Sequence, residues 1–457
     1  MIPLKSKLPG SANPSRGLLY LLLTAGIISL IILPALLFSA YLTFWVTLLN
    51  TLLIIAVFRF YFLMAFSLKK SEKELESYGK LSELPFVSMI IPAYNEAKVL
   101  PRNIESMIAL DYPKDKIEFL YIYEAKSSDN TEEVIKNFAS RDSRVIPVRR
   151  DSQRGGKGAA ANDGIQMAKG EVIGSFDADH SLEPDALKRA VRALEAANVV
   201  CVRGRCRTIN KREGLIPMVA GIERDIFDSI DIYARQGLGG FTFFSGGQAF
   251  FKREVFNSLG PFSEEVLVED IDYSLKIHKA GLDIRVDPSI VSWEESPASL
   301  GAWWSQRKRW TRGWMQCTKL HLKDLMASRS ISLIKKLDIG FLLVMTILLI
   351  LMILNYPLVL LSWFGLSMAS LYPASILLIF GILIIISPFV AVTMVVFKDY
   401  QKGETLRWKE ILLTLLMWPY QFLQMAVSWV AFEDEFILRK ASEYEKTSRS
   451  GATSKSL

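Results

Sequence analysis

The chain holds only three cysteines and three histidines in 457 residues. Cys201, Cys206 and Cys317 are too few and too scattered for a disulfide framework. They read as packing residues, and Cys201 and Cys206 lack the companion ligands that a zinc site needs. His180, His278 and His321 leave little room for a histidine-based metal centre. His278 and His321 read as helix-surface residues, whereas His180 follows a pair of aspartates and is expected near them. No internal repeat is visible. No basic block is interleaved with aromatics on a strand pattern, so a nucleic-acid partner is not expected. Arg154-Gly155-Gly156-Lys157-Gly158 lacks the spacing and the Lys-Ser/Thr pair of a P-loop. It reads as a glycine-rich turn opening a helix, with Lys157 toward a nucleotide.

What is abundant is apolar sequence, 51% of residues, gathered at the two ends. Runs 18–38 and 42–66 are of spanning length, since about 20 residues cross the hydrocarbon core. Basic residues flank both sides of the pair, which favours a hairpin with cytoplasmic ends. The first run is too long for a cleaved signal peptide and has no small-residue cleavage site. Runs 338–363, 371–397 and 411–432 are three further candidates. The link 364–370 carries no charge, and the link 398–410 is basic, which places the first outside and the second inside. Five spans would leave the C-terminus outside, although Arg439, Lys440, Lys446, Arg449 and Lys455 give the tail an inside character. Pro419, Gln421 and Gln424 make a re-entrant 411–432 the alternative. The net charge of +7 fits this bias and a surface facing anionic headgroups.

Between the apolar ends the pattern changes. Strand-like runs at Phe86–Ile91, Ile117–Tyr123, Val145–Val148, Glu171–Phe176 and Val199–Val202 alternate with helical patterns at 97–110, 130–140, 157–169 and 184–197. That alternation predicts a parallel α/β sheet, with ligands at the carboxyl ends of its strands. The polar residues that stand there are Pro92, Tyr94 and Glu96 after the first strand, Glu124 after the second, and Asp177 and Asp179 after the fourth.

Asp177 and Asp179 are two apart on extended backbone, so both point to one face. Two hard carboxylates there can hold a divalent cation against a diphosphate. Glu269 and Asp270 open a helix, and Asp270 is placed to take a proton from an attacking hydroxyl. Residues 299–325 are rich in Trp and Arg and too charged to span, which predicts an interfacial helix. On it Gln306 and Trp310 share a face, Arg309 suits a phosphate, and Trp310 offers a flat surface to a sugar ring. Gly246 and Gly247 either bring backbone close to an acceptor or simply make a tight turn.

Together these elements resemble the membrane-embedded family 2 glycosyltransferases, the group of cellulose, chitin and hyaluronan synthases and ceramide glucosyltransferases. The matching elements are Val87–Glu96, the Ser128-Asp129-Asn130-Thr131 turn, Gly156–Asn162, Asp177-Ala178-Asp179, Glu269-Asp270 and Gln306-x-x-Arg309-Trp310. The resemblance covers roughly residues 85–320 with the flanking spans. It implies an α/β nucleotide-sugar-binding domain of the GT-A type inserted between transmembrane helices, an inverting mechanism, and Mg²⁺ or Mn²⁺. It implies that Asp177 and Asp179 hold nucleotide and metal and that Asp270 is the base, with Gln306, Arg309 and Trp310 by the diphosphate and acceptor. Three positions depart from the pattern. Glu124-Ala125-Lys126 stands where paired aspartates are frequent, Val268 stands where many relatives have Thr, and Ser245-Gly246-Gly247-Gln248 replaces a segment that often holds cysteine.

The expected organisation is a cytoplasmic segment 1–17, two spans within 18–68, a linker 69–84, the catalytic domain 85–295, amphipathic helices 296–335, about three spans within 336–432 and a polar tail 433–457. The expected donor is a nucleotide sugar, UDP-linked before GDP-linked. The expected acceptor is a growing polysaccharide, with a single lipid molecule as the alternative. The enzyme would be a multi-pass membrane protein with its catalytic domain in the cytoplasm. A transporter with a nucleotide-sensing domain would need ionisable residues within its spans, and Arg59 is the clearest one. A scaffold with a decayed catalytic domain would be expected to have lost carboxylates, and all of them are present.

Overall fold

The computed structural model describes residues 14–37, 39–69, 83–152, 156–345, 350, 371–442, 449 and 451. Two apolar helices come first, α1 (Pro14–Leu37) and α2 (Ser39–Lys69). The α/β domain follows in the order β1 (Val87–Ala93), α3 (Leu100–Ile108), β2 (Ile117–Glu124), α4 (Thr131–Ala139), β3 (Val145–Arg150), α5 (Lys157–Met167), β4 (Val172–Phe176), β5 (Ser181–Leu182), α6 (Ala186–Leu194) and β6 (Val199–Thr208). Helices α7 (Leu215–Ile226) and α8 (Ile232–Gly237) are joined by a π turn at Phe227–Asp231. Then come β7 (Gln248–Lys252), α9 (Glu254–Leu259), α10 (Glu269–Lys279), β8 (Asp283–Glu294) and the long α11 (Leu300–Ala327). A helix over 333–345, α12, precedes α13 (Ala374–Gln401), the short α14 (Trp408–Leu412) and α15 (Met417–Phe432).

The eight strands form one sheet in the order β3-β2-β1-β4-β7-β6-β8-β5. The half β3-β2-β1-β4 is parallel, as the βαβ alternation predicts. The other half corrects that expectation. Strand β7 runs antiparallel to both β4 and β6, and β5 runs antiparallel to β8, so the sheet is mixed. The short strand β5 and strands β7 and β8 also escaped the sequence reading. Their partners lie far away in the chain, and a glycine turn or a broken alternation masks their period.

Helices cover both faces, which is why the parallel strands read as unbroken apolar runs. Met89 and Ile91 enter one core, beneath α3 and α6. Ile90 between them enters the other, with Ala160 of α5 and Tyr273 of α10. That alternation is the two-residue period of a strand.

Segments Thr43–Leu68, Ala374–Gln401 and Trp408–Ile437 are long and apolar enough to cross a membrane, and Gly17–Leu30 of α1 is a shorter apolar stretch. Leu21, Leu30, Phe58, Leu378 and Ile385 are exposed on these helices. Such outward apolar surface belongs in lipid, and the chain is a membrane protein. Most of the predicted span 338–363, the link 364–370, most of the linker 69–84, Arg154 and Gly155, and nearly all of the tail past 442 lie outside the described residues. Arg59, on α2, pairs with Asp338 at 2.7 Å and lies over the Phe341 ring at 4.6 Å. That pair ties α2 to α12.

Candidate functional site

A cavity of about 880 Å³ opens at the carboxyl ends of the parallel strands. Pro92, Tyr94, Glu96, Glu124, Lys157, Asp177, Asp179, Gly246, Gly247, Glu269, Asp270, Gln306, Arg309 and Trp310 all line it.

The β1 loop is held by the turn ahead of α4. Asn95 sits at φ 55°, in the left-handed region that asparagine tolerates. Its Oδ1 accepts from Ser128 N at 2.7 Å, Glu96 N donates to Thr131 Oγ1 at 2.8 Å, and Ala97 N donates to Asp129 Oδ2 at 3.0 Å. Two motifs that stand apart in sequence therefore form one wall. Glu124 ends β2, and its Oε1 accepts from buried Arg150 at 2.5 Å.

The turn after β4 is equally fixed. Asn103 Nδ2 donates to His180 O at 2.7 Å, and Arg102 Nη2 donates to Asp179 O at 2.7 Å. Asp177 faces the Lys157 ammonium, and Asp179 Oδ2 lies 3.1 Å from Arg449 Nη2. Burial would raise the Asp177 carboxyl, but Lys157 and then His180 hold it below its usual value. Asp177, Asp179 and His180 each offer one ligand atom, all within 4.8 Å of one another. Hard carboxylate oxygens of this kind suit a divalent cation.

Opposite stands the start of α10. Acidic residues belong in a helix's first turn, where the macrodipole favours them. Asp270 Oδ2 accepts from Gly246 N at 2.7 Å, and Oδ1 accepts from Ile271 N at 2.9 Å. Burial is the main cause, with the neighbouring Glu269 charge next, that pushes the Asp270 carboxyl up to about 6; Lys157 and the two N–H groups oppose the shift. Lys157 Nζ also donates to Gly246 O at 2.5 Å and lies 3.7 Å from Glu269 Oε1. A Cβ at Gly246 would stand 3.1 Å from Lys157 Nζ and 3.2 Å from Glu269 Oε1, and one at Gly247 would meet His180 Nε2 at 2.1 Å. Close approach, not only a tight turn, requires a glycine at 247.

The remaining wall is α11. It is not simply an interfacial helix: Trp303, Gln306, Arg312 and Met315 are buried, and it packs on α15 and α10. Arg309 Nη1 reaches Leu267 O at 3.4 Å, and the Arg307 guanidinium lies 4.4 Å above the Trp310 ring. His278 and His321 are buried rather than on a helix surface. His278 Nε2 lies 2.8 Å from Thr242 O, and His321 Nε2 lies 2.7 Å from Asp272 Oδ1.

Sequence reasoning missed several lining residues. Phe227, Phe243 and Trp314 join Trp310 in an aromatic wall. Glu223 on α7 accepts from Arg307 at 2.5 Å, from Tyr420 at 2.6 Å and from Gln424 of α15 at 3.0 Å. Glu294 and Glu295 arrive from β8 and the residue after it, and the Glu294-Glu295 pair was the only local signal for them.

Residues 88–260 match the model of glycosyl transferase family 2. A probable glycosyltransferase, YdaM, of Bacillus subtilis (strain 168) is 31% identical over 51% of this chain and 56% of that protein. A beta-monoglucosyldiacylglycerol synthase of Trichormus variabilis is 30% identical over 54% of this chain and 53% of its own length. A poly-beta-1,6-N-acetyl-D-glucosamine synthase of Staphylococcus epidermidis is 27% identical over 50% and 54%. The chain thus spans little more than half the length of these relatives. Among solved structures, the mannosyltransferase PcManGT of Pyrobaculum calidifontis, in complex with GDP-Man and Mn²⁺, superposes with a TM-score of 0.58. It is 20% identical over 86% of this chain and 99% of that one, a likeness of fold. The segment 88–260 thus matches the family 2 glycosyl transferase model, and the chain as a whole is similar in sequence to these glycosyltransferases over about half of its length.

Proposed function

We propose that the protein is an inverting membrane glycosyltransferase that moves a sugar from a nucleotide-sugar donor to a growing polysaccharide. The observation that carries this reading is Asp270. It is a carboxylate whose proton affinity is raised to about 6, fixed by two backbone N–H groups, facing the same cavity as Asp177 and Asp179. A base of that strength takes the proton of an acceptor hydroxyl near neutral pH. The nucleoside diphosphate lies by Pro92, Tyr94, Glu96 and Glu124, with Lys157 and Arg309 toward its phosphates. Asp177 and Asp179 hold Mg²⁺ or Mn²⁺, which when bound supplies positive charge against the departing diphosphate. The acceptor hydroxyl approaches from the aromatic wall, where Trp310, Trp314, Phe227 and Phe243 suit the apolar face of a sugar ring. Direct displacement on the side opposite the leaving group inverts the anomeric centre. The donor is a UDP-sugar before a GDP-sugar, and the multi-pass protein keeps this domain in the cytoplasm.

Transfer of one sugar to a lipid is the second reading. The hydrogen bonds that join Glu223 at the cavity wall to Tyr420 and Gln424 of the apolar α15 favour it, because they bring the cavity to the membrane. Product size separates the two. Full-length protein in detergent is given radiolabelled UDP- and GDP-sugars, Mg²⁺ or Mn²⁺, and membrane lipid. A ladder or polymer is expected. A single labelled sugar on an organic-extractable lipid selects the second reading, and no incorporation from any donor sinks both.

A further inference from the structure

His180 is one of the most deeply enclosed polar side chains near the cavity, 1% exposed. Its Nδ1 has no hydrogen-bond partner among the described residues, whereas Nε2 faces the Glu294 carboxylate. A buried imidazole nitrogen without a partner is costly unless something absent from the chain itself completes it. One nitrogen lies within 4.8 Å of a carboxylate oxygen of both Asp177 and Asp179. Nε2 stands 3.2 Å from Glu294 Oε2, which leaves Nδ1 open to a further ligand.

The turn that carries these three residues is built for precision. His180 N donates to Asp177 O at 3.1 Å, and the carbonyls of Asp179 and His180 are gripped by Arg102 and Asn103. Asn103 is itself fixed, its Oδ1 accepting from buried Tyr121 at 2.6 Å. Against the other edge of the ring, Gly247 leaves no room for a Cβ. The place beside Asp179 already holds positive charge, since the Arg449 guanidinium rests there. His180, Cys206 and Glu294 form a rival cluster. There Arg224 already donates twice to Glu294 Oε1, at 2.9 and 2.6 Å, and would repel a second cation.

We infer that His180 is a third protein ligand of the divalent cation, completing a donor set of two carboxylates and one imidazole that favours Mn²⁺ over Mg²⁺. The inference rests on the assignment of Asp177 and Asp179 to a cation. Mg²⁺ takes oxygen ligands and dehydrates reluctantly, whereas an imidazole nitrogen moves the balance toward a first-row transition ion. Glu294, facing Nε2, then acts as the outer partner that orients a ligating histidine.

The test is pulsed EPR of Mn²⁺ on the full-length protein in detergent, with and without UDP. The expected spectrum carries nitrogen-14 modulation that converts to the nitrogen-15 pattern when histidine alone is isotope-labelled. In His180→Asn the modulation disappears, and Mn²⁺ affinity falls roughly tenfold or more, with a smaller change for Mg²⁺. Bound Mn²⁺ without nitrogen modulation in the unmutated protein overturns the role of His180 and leaves Asp177 and Asp179 standing. No Mn²⁺ binding under either condition overturns the metal assignment itself. The unmutated spectrum decides even if the variant does not fold.

Discussion

At the scale of the residue, the proposed base Asp270 is expected to set the working pH. A base acts only when unprotonated, and desolvation together with Glu269 raises its carboxyl to about 6. The sign follows directly: kcat/KM should be flat above that value and fall about tenfold per pH unit below it. Asp270→Asn removes the base while keeping its shape, so donor binding should survive and transfer should be lost. A rate profile flat from about pH 5 to pH 8, or turnover retained by Asp270→Asn, would take the proton-accepting role away from this residue.

At the scale of the element, what holds the catalytic domain to the apolar helices is a buried ion network. Asp225 of α7 lies 2.5 Å from Lys211 Nζ, 2.9 Å from Arg407 Nη1 and 3.6 Å from Arg205. Arg205 of β6 in turn donates to Asp399 at the end of α13, at 2.6 Å. Burial alone would raise the Asp225 carboxyl; Lys211, Arg205 and Arg407 overcome that and hold it well below the usual range. A carboxyl depressed in this way contributes stability above its unfolded pKa and loses it as pH falls toward the folded one. Asp225→Ala leaves three buried cations short of a partner, and such losses cost about 3–5 kcal/mol. Thermal unfolding in detergent should register this as a marked drop in Tm. A Tm within about 1 °C of the unmutated protein would show that the network carries little of the docking energy.

At the scale of the whole molecule, distant parts of the chain meet. Tyr20 of α1 donates to Asp434 at 2.5 Å, and Thr24 donates to Glu433 at 2.9 Å. Farther along, Arg449 stands among the charges of Asp179, Glu294, Glu96 and Asp177, and Gly451 N donates to Glu295 Oε2 at 3.2 Å. A cation that binds Asp179 competes with that guanidinium for its charge. Arg449→Ala should therefore lower the half-saturating Mn²⁺ concentration by about two- to fivefold, the worth of a partly exposed ion pair. A rise instead would assign Arg449 to holding the diphosphate rather than competing with metal.

The sequence by itself determined the parallel half of the sheet, the apolar helices and the carboxylates at the strand ends. Each of these is a local pattern: a strand buried on both faces is an unbroken apolar run, and Asp177 with Asp179 or Glu269 with Asp270 sit together whatever the rest of the chain does. The resemblance added that such local motifs share one site, and the fold gathers Asp177, Asp179, Glu269, Asp270, Gln306, Arg309 and Trp310 on one cavity, while the Ser128–Thr131 turn braces its wall. Only the tertiary structure decided the mixed half, because β7 finds its partners β4 and β6 far back in the chain and its glycine turn hides its period. It also decided the aromatic wall, which sets Phe227 and Phe243 from two other segments beside Trp310 and Trp314 of α11, and the burial of His278 and His321, whose partners Thr242 and Asp272 no spacing announces. Local periodicity fixes which face a residue presents. What that face meets depends on pairings between elements, and those are settled only when the chain has folded.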